Sequence, residues 1–217
     1  SASICRFNDG TAGRMKTCIV IANGPSLNDV PNEFLRKHIS FGTNAIYLRE
    51  GFSPSCYVAF DKGFIKREKE KIQAFCPKVI QAFIRQDEGV TGPNVVPIFR
   101  ADREMPTSKK SMGIVAGGSV TFIAMQLAGM AGFEQILVVG LDHNFFEADT
   151  IIPHFAENYP TEPIPRTAEY CEGVKIRIEY CYQVIRKEMD RIGGHIINLT
   201  PGSRCDIFEK RDIKDYA

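Results

Sequence analysis

Polar residues able to bind or transfer a charged group recur where apolar runs end. The run TCIVIA (17–22) opens into Asn23-Gly24-Pro25-Ser26, ISFGT (39–43) into Asn44, and CYVAF (56–60) into Asp61. QILVV (135–139) passes through Gly140 to Asp142-His143. Amides, hydroxyls and carboxylates of this kind bond ribose and base edges, and small residues beside them admit phosphate. If the runs are parallel strands, their carboxyl ends form one rim, where open α/β sheets bind ligands.

Neither glycine turn matches a named phosphate loop. Asn23-Gly24-Pro25-Ser26 lacks the three glycines of a dinucleotide fingerprint and the Gly-Lys-Ser/Thr of a Walker A loop. It reads equally as a strand-to-helix turn capped by Ser26 or Asn28. Asn44 follows Gly24 at about the distance where nucleotide folds place a ribose-binding carboxylate. In AGGSV (116–120), Gly117 and Gly118 permit close backbone approach, and Ser119 can cap a helix whose free N–H groups attract phosphate or carboxylate. Tight packing of that helix on a sheet is the bland alternative.

Of the four histidines, His38 and His195 precede strands and read as structural or surface groups. Asp142, His143 and His154 form a conceivable metal trio, but no helical spacing or cysteine pair supports it. His154, in HFAENY, is the better candidate for a general base, since its near-neutral pKa suits removal of a proton from a sugar hydroxyl. Neither a G-x-S-x-G elbow nor a carboxylate pair for glycoside hydrolysis is evident.

The elements that must position these groups alternate. Strands are expected at 17–22, 39–43, 56–60, 78–83, 95–99, 135–139 and 195–199, and helices around 31–37, 63–75, 119–131 and 167–192. This order implies a Rossmann-like α/β fold, a mostly parallel sheet with helices on both faces, in one domain spanning 1–217. The long polar stretches 100–118 and 143–166 are expected to act as a lid over the strand ends.

Bulk properties narrow the function. The chain has 217 residues, 44% hydrophobic and 24% charged, enough for a substantial core. A formal net charge of +1 argues against a nucleic-acid partner held by its phosphates. The basic run KGFIKREKEKI is interrupted by Glu68 and Glu70 and reads as a solvated helix face. Seven cysteines in wide spacings, without a C-x-x-C pair, imply free thiols and a reduced, cytoplasmic setting. Residues 113–133 carry no charge, yet their glycines and hydroxyls suit a turn and a buried helix better than a membrane span.

Taken together, GRMKTCIVIANGPSLNDVP, ISFGTNAIYL, SPSCYVAFD, GGSVTFIAMQLAGMAGFEQILVVGLDHNF, HFAENY and INLTPGSRCDIF resemble a bacterial domain family named after archaeal 6-hydroxymethylpterin diphosphokinase, whose relatives include motility-accessory glycosylation proteins. The resemblance runs from about residue 13 to 213. A more distant similarity is to the family-42 bacterial sialyltransferases, which share the Asn-Gly-Pro-Ser-Leu turn and the asparagine after the second strand. By position it implies nucleotide contacts from Asn23, Gly24, Ser26, Asn44, Asp61, Gly118, Ser119 and Asp142, with His154 as base. The implied activity is transfer of a sugar from a nucleotide sugar, a CMP-sugar by this similarity, to a glycan acceptor, with no cofactor required. Two alternatives stay open. One is ATP- and Mg²⁺-dependent diphosphate transfer with Asp61 and Asp142 as metal ligands. The other is a non-catalytic nucleotide- or glycan-binding module.

Overall fold

The computed structural model describes residues 16–86, 88–101, 113–144, 154–161 and 167–216. Along the chain these form β1 (Thr17–Ile21), α1 (Asn32–Arg36), β2 (Ile39–Thr43), β3 (Cys56–Ala59), α2 (Lys62–Phe75), β4 (Gln81–Arg85) and β5 (Val95–Arg100). They continue with β6 (Gly113–Ile114), α3 (Val120–Met130), β7 (Gln135–Val139), α4 (Ala168–Arg191), β8 (His195–Asn198) and β9 (Glu209–Lys210). Short 3-10 turns follow β1 and β2, at Pro25–Asp29 and Asn44–Leu48.

The strands make one sheet in the order β6-β5-β4-β3-β2-β1-β7-β8-β9, with every described pairing parallel. The order reverses between β1 and β7, so the fold is Rossmann-like with its topological switch point there. Strand periodicity sorts the side chains into two cores. Cys18, Val20, Phe41, Val58 and Val138 point to the face covered by α3 and α4. Ile19, Ile21, Tyr57, Leu137 and Val139 point to the opposite face, with Leu27, Phe34, Ile46, Ile65 and Phe155.

The charge-free segment becomes α3, which packs against β1, β2, β3 and α4. All residues from Thr121 to Ala128 are buried, as expected of a helix apolar all round. Among the described residues no helix is long and apolar enough to cross a membrane. The six described cysteines, Cys18, Cys56, Cys76, Cys171, Cys181 and Cys205, are buried thiols outside any disulfide; Cys5 lies outside the described residues.

Two differences from the sequence reading have plain causes. The strand expected at 78–83 begins at Gln81, because Cys76-Pro77-Lys78 closes α2 with a 3-10 turn. Asn94 Nδ2 donates to the carbonyls of Cys76 and Val79, which holds this turn out of the ladder. The two-residue strands β6 and β9 are too short for any periodicity to reveal. Much of the expected lid, at 102–112, 145–153 and 162–166, lies outside the described residues.

Leu137 is fully buried on β7, between β1 and β8. Leu137→Ala should cost about 2–5 kcal/mol, lost transfer energy plus a residual cavity. Urea unfolding checks this: the midpoint should fall with the m value unchanged.

Candidate functional site

Asn198, Thr200 and Ser203, all buried, fix the exit from β7. Asn198 Nδ2 donates to Ser203 Oγ (2.9 Å), and Asn198 Oδ1 accepts the Thr200 N–H (3.0 Å). Thr200 Oγ1 then accepts the Leu141 N–H, and Ser203 Oγ donates to the Leu141 carbonyl. The neighbouring exit from β1 runs in backbone contact with it: Gly24 N–H donates to Gly140 O at 2.9 Å. A Cβ on Gly24 would lie 1.8 Å from Asp142 Oδ2 and 2.7 Å from Gly140 O, so only glycine fits.

This approach joins Ser26 to Asp142. Ser26 Oγ donates to Asp142 Oδ2 at 2.7 Å, and the Ser26 N–H makes a longer 3.4 Å contact to Oδ1. Burial raises the Asp142 pKa, and the two bonds from Ser26 offset that only in part.

Between these exits and the start of α3 lies a cavity of about 200 Å³. Its walls include Asn23, Gly24, Asn44, Gly118, Ser119, Asp142 and His154. Two expected members are elsewhere. Ser26 acts behind the wall, on Asp142. Asp61 is exposed and does not line the cavity; its Oδ1 accepts the Phe64 N–H and caps α2.

On one wall, Asn23 Nδ2 donates to Thr43 Oγ1 (2.8 Å) and to Thr43 O (3.1 Å), while its buried Oδ1 has no hydrogen-bond partner. Asn44 has φ +44°, a left-handed conformation that asparagine tolerates better than most residues, and its buried Oδ1 also lacks a partner. Two unpartnered acceptors are thus buried within the cavity's wall.

The opposite wall is the N-terminus of α3. Ser119 Oγ accepts the Thr121 N–H and contacts Tyr182 Oη at 3.2 Å. The other first-turn N–H groups have no helical carbonyl to bond, and the helix dipole adds partial positive charge. Gly118 adopts φ +74°, and Arg177 of α4 packs against it: a Cβ there would lie 3.0 Å from Arg177 Nε.

His154 closes the cavity near Asn23. Its Nδ1 is 3.4 Å from the Asn23 carbonyl, which can only accept, so Nδ1 carries the proton and the lone pair is on Nε2. Burial lowers its pKa, with the Asn23 contact raising it only in part, so the ring is neutral near pH 7. His143, also at the cavity, pairs through Nε2 with Glu179 Oε1 at 3.1 Å. Burial lowers its pKa, and Glu179 opposes that in part. Among the described residues no group of three or more His, Cys, Asp or Glu side chains is placed to hold a metal ion.

Sequence reading missed Tyr159, Thr121, Tyr182 and Arg177. Ile178 and Tyr182 recur at helical spacing and reach the cavity from α4. That spacing was visible, but it looks the same as ordinary core packing.

No family model matches the sequence, and no curated protein does. Among solved structures, similarity is found to the sialyltransferase CstII from Campylobacter jejuni, in complex with a substrate analogue, cytidine-5'-monophosphate. The identity is 11% and the TM-score 0.48, over 90% of this chain and 84% of that one. Similarity to the Bordetella bronchiseptica enzyme WbmH in complex with NAD+ is weaker: 10% identity and a TM-score of 0.27, over 86% of this chain and 56% of that one. At these levels neither likeness carries an activity across.

His38, His143 and His154 all have lowered pKa values, with burial the largest cause in each. The unfolded chain therefore takes up these protons first, near the ordinary value of about 6.5. Stability is fully present above that value and is lost as the pH falls toward the folded values. Asp142, with a raised pKa, works in the opposite sense at lower pH. Unfolding midpoints at about pH 8 and about pH 5 should fall with acidity, and His154→Gln should flatten the slope.

Proposed function

We propose that the cavity binds the nucleotide end of a nucleotide sugar, and that the chain is a glycosyltransferase of sialyltransferase-like type in surface glycan assembly. The observation that carries this reading is one cavity at the switch point lined by two asparagines, a helix N-terminus and a neutral imidazole. Ribose hydroxyls or a base amino group would satisfy Asn23 Oδ1 and Asn44 Oδ1 once those amides turn toward the cavity. Phosphate would lie at the start of α3, beside Arg177. The described walls enclose less than sites that engulf a drug-sized ligand, about 300–1,000 Å³, so only part of the donor would be held here.

The chemistry follows from these positions. The acceptor hydroxyl attacks the anomeric carbon as its bond to the phosphate oxygen breaks. The electron pair leaves with the phosphate, where α3 N–H groups stabilise the charge. The hydroxyl proton passes to His154 Nε2. Cytidine nucleotides are the first ligands to test, because the motifs around the two turns resemble those of the family-42 sialyltransferases. For diphosphate transfer, only one of the two expected carboxylates, Asp142, lines the cavity, while Asp61 is committed to its helix cap.

A thermal-shift panel of CMP, CDP, UDP, ATP and CMP-sialic acid, with and without Mg²⁺, tests this reading, since a ligand of the native state raises the melting temperature by mass action. A cytidine nucleotide should stabilise the protein without metal. His154→Ala should keep that binding and lower transfer about 10²- to 10⁴-fold. Strictly Mg²⁺-dependent ATP binding with no cytidine response would overturn the proposal.

A further inference from the structure

The segment 154–159 is held to the rim at several points. Phe155 N–H donates to Asn23 O at 3.1 Å, Asn28 Nδ2 donates to Phe155 O at 2.9 Å, and the Phe155 ring is buried in the second core. None of these contacts fixes the plane of the His154 ring. Its own Nδ1 contact, at 3.4 Å, is long for a hydrogen bond. The ring face is set instead by Tyr159, stacked on the imidazole with centroids 3.7 Å apart and planes 15° from parallel.

Tyr159 is itself tightly located. Its ring meets Phe155 edge-on and stands with Asn44 at the cavity wall. Burial raises its pKa to about 12, so the phenol stays protonated.

We infer that Tyr159 is a positioning residue for His154, its stacked ring fixing the imidazole plane. The inference rests on His154 being the base of the proposed transfer. Tyr159 covers one face of the imidazole and holds it against rotation.

The test reads His154 directly, by NMR titration of its ring proton in the unliganded protein. In the parent, His154 should titrate below its ordinary value of about 6.5. Tyr159→Phe keeps the stack and should titrate close to the parent. Tyr159→Ala and Tyr159→Leu, which open the ring to water, should titrate nearer the ordinary value. With a working transfer assay, Tyr159→Ala should lower kcat by about 10²-fold with little change in KM, and Tyr159→Phe should recover most of it. Tyr159→Ala and Tyr159→Leu proteins that fold and titrate like the parent would overturn the inference. If one of the two does not fold, the other decides. Because the titration needs no ligand, its failure is distinct from failure of the nucleotide panel, which would overturn the proposed function alone.

Discussion

The site depends on how closely two chain exits pass at the switch point. β1 and β7 are parallel neighbours in the middle of the sheet, and their chains leave the same edge side by side. Gly24 donates to Gly140 O there, and a Cβ on Gly140 would sit 2.7 Å from Ala22 O. Gly140 also needs φ +70°, which glycine adopts at little cost. A side chain at either position would force the exits apart. Ser26 would then lose Asp142, and Asn23 would shift on its Thr43 anchor. The walls of the cavity are consequences of this contact.

The rim's polar groups fall into two kinds, and the contrast separates structure from binding. Around β8, the Asn198 amide and the Thr200 and Ser203 hydroxyls are bonded to one another and to Leu141. Such a saturated network rigidifies a turn and has little to offer a ligand. Beside β1 and β2, Asn23 and Asn44 each leave an amide oxygen buried without a partner. An unsatisfied buried acceptor costs about 1–3 kcal/mol. Two of them in the wall of one cavity, which the N-terminus of a helix also lines, mark a place where the packing leaves polar groups unsatisfied.

The alternation of strands and helices was legible because buried parallel strands are short apolar runs and the helices between them carry their own period. The cap of α3 at Ser119 was legible for the same local reason, since a serine after two glycines before an apolar helix has few other uses. What failed to show was any role decided by a distant partner. Ser26 reads locally as a cap, yet its hydroxyl reaches Asp142, 116 residues on. Asp61 stands after a strand like the other candidates, but it is spent on its own helix. Tyr159 gains its place only when residues 154–159 dock beside Asn44, a contact with no signature in spacing.

The two histidines at the cavity show how surroundings divide residues of equal chemistry. Both rings have lowered pKa values and stay neutral near pH 7, so charge state alone does not choose between them. The His143 side chain is only 2% exposed, its backbone sits at φ +58°, and its Nε2 is tied to Glu179 on α4. It can fasten α4 to the end of β7, but its Nε2 cannot take a substrate proton without giving up that bond. The bond to the Asn23 carbonyl uses the proton of His154 and leaves the Nε2 lone pair as its basic site. Its plane is set by the ring of Tyr159 stacked on it, which Phe155 in turn meets edge-on. A base held in this way accepts a proton without giving up the stacking contact that orients it, which is the property that makes His154 the better candidate for the reacting group.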